Sequence, residues 1–279
     1  MILIALDGFK NYASADQLGR YIEKGILNVS NNMKINISSM ADGGEGTLQK
    51  LVNDYRGKVF SHKSVNALNM NVKANIGEYK FKNKIYNVIE TCQTAGFGYQ
   101  LSKNYDTLKT SSYGTGKLIK KALSRKPDVL IIGLGGSIVS DGGVGLGSAL
   151  GIKYFNNKNI LLKPRYKNYS CIDIQNIKSL NLEKFILNKE TKVIVLSDVN
   201  TPLLGKNGQA ITFGPQKGAN EEGIKTIDLS MSHWHKLLTE TYQKNFNIPF
   251  SGASGGMAAG ITAMFRGKLV SGSEYIINN

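Results

Sequence analysis

The 279-residue chain has little cysteine and proline, fewer acidic than basic side chains, and no long apolar run. Its two cysteines, Cys92 and Cys171, lack the spacing of a metal or redox motif, so we expect two buried thiols and no disulfide. No segment approaches the roughly 20 apolar residues that a membrane-spanning helix needs. The N-terminus MILIALDGFK also lacks a basic region and a signal cleavage site. These absences predict a cytoplasmic, globular protein of about two domains without a membrane partner.

Basic side chains dominate the charge, with 35 Lys and Arg against 20 Asp and Glu and a formal net charge of +15. Such a charge is compatible with nucleic-acid binding. The lysines are spread along the chain, however, and no block of five like charges occurs. We therefore expect a solvated basic surface that attracts small anions, and no nucleic-acid partner; a nucleic-acid-binding domain is the weaker alternative.

Short apolar runs alternate with helical periodicity, which is typical of an α/β fold with parallel strands. Between the first two runs, Ser14 and Gln17 have the spacing of a helix capping box. The segment GTGKLIKKAL predicts a further helix that begins at Gly114, Thr115 and Gly116. The predicted strands lie in MILIAL, KINISSM, DVLIIG and KVIVLSDVN.

Residues 133–147, GLGGSIVSDGGVGLG, place seven glycines directly after an apolar strand. Glycine is costly to order, so this density indicates positive φ angles or very close backbone approach. The amides of such a loop can cradle a phosphate, or the glycines can let a helix pack closely on the sheet. The glycines alone leave both interpretations open. The loop is not a Walker loop, because it lacks lysine followed by serine or threonine.

Four aspartates lie at or just beyond the carboxyl ends of predicted strands, namely Asp7, Asp42, Asp141 and Asp198. Open α/β sheets bind ligands at this edge, although one such aspartate is often only a cap or turn residue. Together with Glu45 and the glycine loops, these carboxylates indicate Mg²⁺-dependent phosphoryl transfer, because Mg²⁺ takes oxygen ligands. The candidate cations are Lys10 and Lys217, although a lysine in a glycine and proline loop is by default a surface residue.

The chain resembles the bacterial type I glycerate kinases in six segments that occur in the family's order and rough spacing. The segments are DGFKNYASA, MADGGEGT, SSYGTGKLI, GLGGSIVSDGG, SDVNTPLLGKNGQAITFGPQKGA and SGASGGMAAG. The resemblance covers essentially the whole chain. It implies ATP-dependent phosphorylation of glycerate to a phosphoglycerate, with the 2-phosphate favoured over the 3-phosphate.

The same resemblance implies two α/β domains with the active site in the cleft between them. Residues 1–62 plus about 252–279 would form a flavodoxin-like domain, and residues 63–251 would form a mixed α/β middle domain with glycine-rich loops. Relatives continue beyond SGSEYIINN into an acidic GEGxxDxQT segment. We therefore expect a C-terminally shortened chain with an incomplete first domain, which can form a homodimer. The alternative function is a non-catalytic nucleotide or small-acid binder.

We expect an in-line transfer between ATP and glycerate and assign roles to the candidate residues on that basis. Asp141 and Asp198 would coordinate Mg²⁺ or orient the attacking hydroxyl. Lys10 and Lys217 would neutralise the phosphoryl group or the glycerate carboxylate, and Asp42 and Glu45 would bind glycerate hydroxyls or act as base. In the first motif, Gly8 and Asn11 replace the family's usual serine and glycine. The phosphates would be held by Gly114, Thr115, Gly116, Gly135, Gly136, Ser137, Gly142 and Gly143.

Overall fold

The computed structural model describes residues 1–9, 12–99, 105–185 and 190–278. Within these ranges the strands are β1 (Ile2–Leu6), β2 (Ile35–Ser39), β3 (Lys58–Val65), β4 (Asn71–Phe81), β5 (Lys84–Glu90), β6 (Val129–Gly133), β7 (Lys153–Phe155), β8 (Ser179–Asn181), β9 (Lys192–Leu196) and β10 (Lys268–Val270). The α-helices are α1 (Ala15–Val29), α2 (Thr47–Asp54), α3 (Cys92–Ala95), α4 (Tyr113–Ser124), α5 (Val144–Ala149), α6 (Gln209–Phe213), α7 (Glu221–Tyr242), α8 (Met257–Phe265) and α9 (Gly272–Asn278). The α/β class is therefore confirmed.

The largest sheet has six strands in the order β10-β9-β6-β5-β4-β3. Strands β5, β6, β9 and β10 run parallel, as expected, whereas β3 and β4 are antiparallel to their neighbours. The reversal between β4 and β5 is made by Lys82 and Asn83, whose φ angles are 47° and 60°. Two consecutive left-handed residues match the twist of a tight hairpin. The expectation of parallel strands thus holds for only part of the sheet.

Strand β6 lies in the middle of the sheet and is buried along its whole length. Its side chains alternate between the two faces, so that Val129 and Ile131 join one apolar cluster, which includes Leu51 of α2. Leu130 and Ile132 join the larger cluster on the opposite face. Because helices cover both faces, the carboxyl ends of the parallel strands are left as the accessible edge.

Strands β1 and β2 form a separate parallel pair, with α1 packed against both. The predicted capping box is present: the Gln17 amide donates to Ser14 Oγ at 3.3 Å, and the Ser14 amide donates to Gln17 Oε1 at 3.0 Å. These reciprocal bonds satisfy amides at the start of α1 that have no partner within the helix. The strands predicted in MILIAL, KINISSM, DVLIIG and KVIVLSDVN are likewise found as β1, β2, β6 and β9.

The division into two domains stays a prediction. Strand β10 lies in the segment assigned with residues 1–62 to the first domain, and it pairs in parallel with β9 of the six-stranded sheet. Helix α2, which lies within residues 1–62, packs on β4 and β5 of that sheet. Both contacts join segments across the predicted boundary.

Within the described ranges, one of the two cysteines is buried as expected and the other is not. Cys171 is a buried free thiol, and Cys92 is free and partly buried. None of the helices there combines the length and the apolar character needed to cross a membrane.

Candidate active site

The loop after β2 presents two carboxylates to solvent. Asp42 and Glu45 are exposed, and the Gly44 amide donates to Asp42 Oδ1 at 2.8 Å, which fixes the turn. Gly43 has a φ of +90°, and a Cβ at this position would lie 2.8 Å from Leu196 Cβ at the end of β9. Only glycine therefore lets this loop lie against the carboxyl end of the large sheet.

The glycine turn after β6 crosses the Asp42–Gly46 loop at close range. A Cβ on Gly133 would lie 2.5 Å from the Gly43 carbonyl oxygen, and one on Gly135 would lie 2.8 Å from Gly44 Cα. Close backbone approach accounts for these two glycines. Gly136 is exposed with a φ of +55°, and a Cβ there would meet only Cys92 Cβ, at 3.9 Å. The accessible part of the turn therefore lies beside the loop that carries Asp42 and Glu45.

Asp198 follows β9 and is also exposed. Its Oδ1 accepts from Ser271 Oγ at 2.8 Å, and its Oδ2 accepts from the Ser273 amide at 3.0 Å. The intervening Gly272 packs so closely on the Asp42 carbonyl that a side chain there would overlap it. The structure therefore brings the loops of Asp42, Glu45 and Asp198 together with the Gly135–Gly136 turn at one sheet edge.

Glu90, at the carboxyl end of β5, is a polar residue of this edge that sequence reasoning missed. It is 5% exposed, and its Oε1 accepts from the Leu48 amide at 2.8 Å, at the start of α2. Its Oε2 accepts from Gln93 Nε2 at 3.0 Å. Burial raises the pKa of this carboxyl, and the bonds from Leu48 and Gln93 oppose the shift. An acidic residue at the end of an apolar strand was the available signal.

Replacing Glu90 with glutamine is expected to loosen the Asp42–Gly46 loop. One end of the amide would present N–H groups to the Leu48 amide or to Gln93, so a buried donor would lose its acceptor, at about 1–3 kcal/mol. Hydrogen exchange at Gly46 and Leu48 should accelerate and the melting temperature should fall. Glu240→Gln is the control, because its ion pair with Lys236 is exposed and worth little. Unchanged exchange at both amides would show that Glu90 does not hold the loop.

Asp141 is fully buried, in contrast to the three exposed carboxylates. Its Oδ2 accepts from the Ser112 amide and Ser112 Oγ, both at 2.8 Å, and from the Gly145 amide at 3.2 Å. Its Oδ1 accepts from the Gly143 amide at 3.1 Å. Desolvation raises the pKa of the carboxyl, and these bonds oppose the shift. With four protein donors on its oxygens, this geometry favours positioning of two helix starts; metal coordination by Asp141 stays a prediction.

Lys217 is buried, contrary to the default expectation for a lysine in a glycine and proline loop. Its side chain is 2% exposed, and Nζ donates to the Val139 carbonyl at 2.6 Å. Burial lowers the pKa of the ammonium to about 7, and the charge of Asp141 opposes the shift. Lys217 thus reaches the buried end of the glycine loop. Its hydrogen bond is to Val139 and not to a residue of the Asp42 or Asp198 loops.

The start of α4 is used for packing in this structure. A side chain on Gly114 would overlap the Val65 carbonyl of β3, and one on Gly116 would overlap the Leu146 carbonyl of α5. Thr115 is buried, with its Oγ1 2.8 Å from Thr94 Oγ1. The close-packing interpretation therefore applies to both glycines, and phosphate binding by these three residues stays a prediction.

The rest of the glycine loop is also enclosed. Gly142 and Gly143 have φ angles of 59° and 83°, and a Cβ on Gly142 would lie 2.5 Å from Trp234 Cδ1 of α7. The Ser137 hydroxyl is buried and has no hydrogen-bond partner among the described residues. Positive φ angles therefore account for Gly142 and Gly143. The unpartnered Ser137 hydroxyl is a potential hydrogen-bond donor next to the Gly135–Gly136 turn.

Two further site predictions concern Lys10 and the Mg²⁺ ligands. Lys10 lies outside the described residues. Among the residues that the structure does describe, no group of three or more His, Cys, Asp or Glu side chains is arranged to hold a metal.

A cavity of about 420 Å³ opens at the amino-terminal ends of β6 and β9, at the sheet edge opposite the glycine loop. It is lined by Leu123, Ser124, Lys126, Pro127, Asp128 and Glu190.

Known proteins resemble this chain over nearly its whole length. The model of the glycerate kinase family matches residues 2–279. A glycerate kinase from Halalkalibacterium halodurans is 34% identical over 99% of this chain and 71% of its own length. A glycerate 2-kinase from Escherichia coli K12 is 32% identical over 99% of this chain and 71% of its own length. A crystal structure assigned as glycerate kinase 2 from Salmonella typhimurium LT2 has a TM-score of 0.84 at 30% identity, covering 99% of this chain and 73% of that one.

The expectation of a shortened family member is not borne out by the family match, which extends to residue 279. The Halalkalibacterium relative exceeds 30% identity, with more than two thirds of its length covered. These matches show that the chain belongs to the glycerate kinase family.

Proposed function

We propose that this chain transfers the terminal phosphoryl group of ATP to glycerate and that 2-phosphoglycerate is the product. Family membership supports a kinase that uses ATP, and the relative named glycerate 2-kinase supports the 2-phosphate. One observation carries the proposal structurally. The exposed carboxylates Asp42, Glu45 and Asp198 lie on loops that meet the accessible Gly135–Gly136 turn at one sheet edge.

In-line phosphoryl transfer depends mainly on positioning and on stabilising charge. Asp42 and Glu45 would bind the hydroxyls of glycerate or accept a proton from the attacking one. Lys10 and the net charge of +15 would favour the glycerate carboxylate and the phosphates. Exposed amides of the Gly135–Gly136 turn would contact phosphate oxygens.

Mg²⁺ fits the exposed carboxylates better than it fits Asp141. It takes oxygen ligands and usually keeps several waters. Asp198 accepts bonds from Ser271 and Ser273 but stays exposed, so it would hold the ion together with Asp42 or Glu45. When bound, Mg²⁺ would neutralise charge on the transferred phosphoryl group. Asp141 has four protein donors on its two oxygens and is fully buried, so direct coordination would require these bonds to break.

A coupled assay of ADP release with glycerate, ATP and Mg²⁺ tests the proposed function. Phosphorus NMR of the product separates the 2-phosphate from the 3-phosphate, and chelation of Mg²⁺ should abolish turnover. Saturable ATP binding without ADP release, at any glycerate concentration, would instead identify a non-catalytic binder.

We further propose a cytoplasmic homodimer that uses the surface around β1 and α1. Several large apolar side chains are exposed there, including Leu3 at 62%, Tyr21 at 69% and Val29 at 90%. Exposed apolar surface of this kind favours association. Sedimentation of the wild-type chain and of Leu3→Lys measures this association. A wild type that stays monomeric at high concentration would contradict the homodimer.

A further inference from the structure

Residues 270–273, which connect β10 to α9, contact both of the loops that carry the exposed carboxylates. The Ser197 amide donates to the Val270 carbonyl at 3.0 Å, and the Gly272 amide donates to the Ser197 carbonyl at 3.4 Å. On the other side, a side chain on Gly272 would overlap the Asp42 carbonyl. We call these four residues the β10–α9 turn. The turn therefore holds the loop after β2 and the loop after β9 against each other.

Helix α9 fixes the β10–α9 turn from behind. Its Ile276 is 8% exposed and belongs to the apolar cluster that contains Leu51 of α2 and Leu196 at the end of β9. Tyr275 packs against the same cluster. Burial of these side chains opposes movement of the helix relative to the sheet. The turn in front of the helix consequently has a defined position at the carboxylate edge.

The Ser271 hydroxyl makes two directed hydrogen bonds within this turn. Its Oγ accepts from the Glu274 amide at 3.2 Å, as an N-cap residue does at the start of a helix. The same Oγ donates to Asp198 Oδ1 at 2.8 Å. A serine hydroxyl has one hydrogen, and an ionised carboxylate can only accept. The single hydrogen of Ser271 is therefore directed at Asp198.

The bonds to Asp198 restrain the rotation of an exposed carboxylate. Besides Ser271 Oγ, the Ser273 amide donates to Oδ1 at 3.2 Å and to Oδ2 at 3.0 Å. These donors lie 73 and 75 residues further along the chain. By contrast, Asp7 and Asp42 accept from amides of their own turns. A distant segment of the chain thus sets the orientation of Asp198.

Orientation explains the contact between Ser271 and Asp198 better than folding stability does. Water can solvate an exposed carboxylate at little cost, so a hydrogen bond to it adds little to stability. A carboxylate has about four acceptor positions on its two oxygens. Donors from the β10–α9 turn occupy part of them, and the exposure of Asp198 leaves the others accessible. This arrangement suits a carboxylate that must present its remaining lone pairs in a fixed direction.

Building on the proposed phosphoryl transfer, we propose that Ser271 is a positioning residue that orients the Asp198 carboxylate for Mg²⁺. Hydrogen bonds to a metal-binding side chain fix its direction, and loss of such a bond typically lowers metal affinity about 10–100-fold. Ser271 acts through Asp198 and needs no contact with the ion. Because the β10–α9 turn also packs on the Asp42 carbonyl, it keeps the two carboxylate loops in register.

Binding of Mn²⁺ to the full chain without nucleotide tests the proposal, since Mn²⁺ takes the same oxygen ligands as Mg²⁺. Electron paramagnetic resonance measures the free ion. Wild type should bind Mn²⁺ saturably, and Asp198→Asn should abolish that binding. Ser271→Ala and Ser271→Gly should each lower the affinity about tenfold or more. Glycine preserves a helix start better than alanine does, so a loss common to both variants does not come from fraying of α9. Ser271→Thr keeps the hydroxyl and should restore the affinity.

Ser14→Ala is the matched control. Ser14 Oγ accepts from the Gln17 amide at the start of α1 at 3.3 Å, so this variant loses a helix cap without releasing Asp198. It should lower the melting temperature and leave the Mn²⁺ affinity unchanged. In turnover, Ser271→Ala should raise the Mg²⁺ concentration for half-maximal rate about tenfold, with kcat recovered at saturating Mg²⁺. A purely structural defect would lower the rate at every Mg²⁺ concentration.

Four results would each overturn the proposal. They are the absence of saturable Mn²⁺ binding, binding that survives in Asp198→Asn, equal affinities of wild type and Ser271→Ala, and failure of Ser271→Thr to restore the affinity. ADP release by wild type with glycerate is measured separately. Turnover without an effect of Ser271 on Mn²⁺ affinity would contradict only the positioning role. Mn²⁺ binding that depends on Ser271, without any ADP release, would contradict only the proposed function.

Discussion

Replacing Asp141 with alanine is expected to remove a large part of the protein's folding stability. The change leaves the amides of Ser112, Gly143 and Gly145 and the Ser112 hydroxyl without their buried acceptor. A single unsatisfied buried donor costs about 1–3 kcal/mol, so a total of about 3 kcal/mol or more is expected, against a typical stability of about 5–15 kcal/mol. Thermal and denaturant unfolding measure this loss.

Asp141→Asn separates the structural role from the predicted catalytic one. Asparagine retains one acceptor oxygen and turns N–H groups towards the remaining donors, so a loss of about 1–3 kcal/mol is expected. If Asp141 also binds the metal or orients the nucleophile, kcat should fall by roughly a hundredfold or more.

Asp173→Asn is the matched control for Asp141→Asn. Asp173 is 3% exposed and accepts from the amides of Arg165 and Ser170, away from the carboxylate edge. It should lose stability while keeping kcat. If Asp141→Asn behaves in the same way, the predicted metal and nucleophile roles of Asp141 are excluded and a positioning role remains.

The stability of the wild-type protein should increase between about pH 7 and pH 8.5 because of Lys217. Its folded pKa is lowered from 10.5 to about 7, so in this window the unfolded chain binds more protons than the folded one. Stability then rises with pH by up to about 1.4 kcal/mol per pH unit. Below about pH 7 the lysine is protonated in both states, and this contribution levels off.

Lys217→Met should flatten that rise, and Lys225→Met, at an exposed position, should retain it. Unfolding is measured in a buffer free of phosphate, because an anion bound beside Lys217 would stabilise its charged form. Above about pH 8.5 a second group acts in the opposite direction. Burial raises the pKa of Cys171 to about 12, so the thiol ionises in the unfolded chain before it ionises in the folded one, and stability falls as the pH rises. Parallel pH profiles for wild type and Lys217→Met would contradict a shifted lysine.

The sequence predicted the features that local patterns encode. Apolar runs located β1, β2, β6 and β9, and the Ser14–Gln17 spacing located the start of α1. It also placed Asp42 and Asp198 correctly at the carboxyl ends of strands. The hairpin between β4 and β5 escaped notice, because Lys82 and Asn83 adopt a turn for which glycine is the usual signal.

Burial and long-range contact were not predictable from local patterns. Lys217 lies in a loop sequence typical of surfaces, yet its partner Val139 is 78 residues away. Asp141 resembles a ligand-binding aspartate by position, and only the Ser112 contact, 29 residues away, shows that its oxygens are occupied. Gly114 and Gly135 serve close backbone approach, a use that glycine density cannot distinguish from phosphate binding.

The order of strands in the large sheet has a consequence for synthesis on the ribosome. From β3 at one edge to β10 at the other, the strands follow their order along the chain. A nascent chain that has emerged as far as Gly133 already contains β3 to β6, whose contacts are mostly local and therefore fast to form. Strand β9 begins only at Lys192, so the pairing edge of β6 stays open while residues 134–191 are translated. That interval is when pairing with other chains is most expected, and docking of β9 ends it.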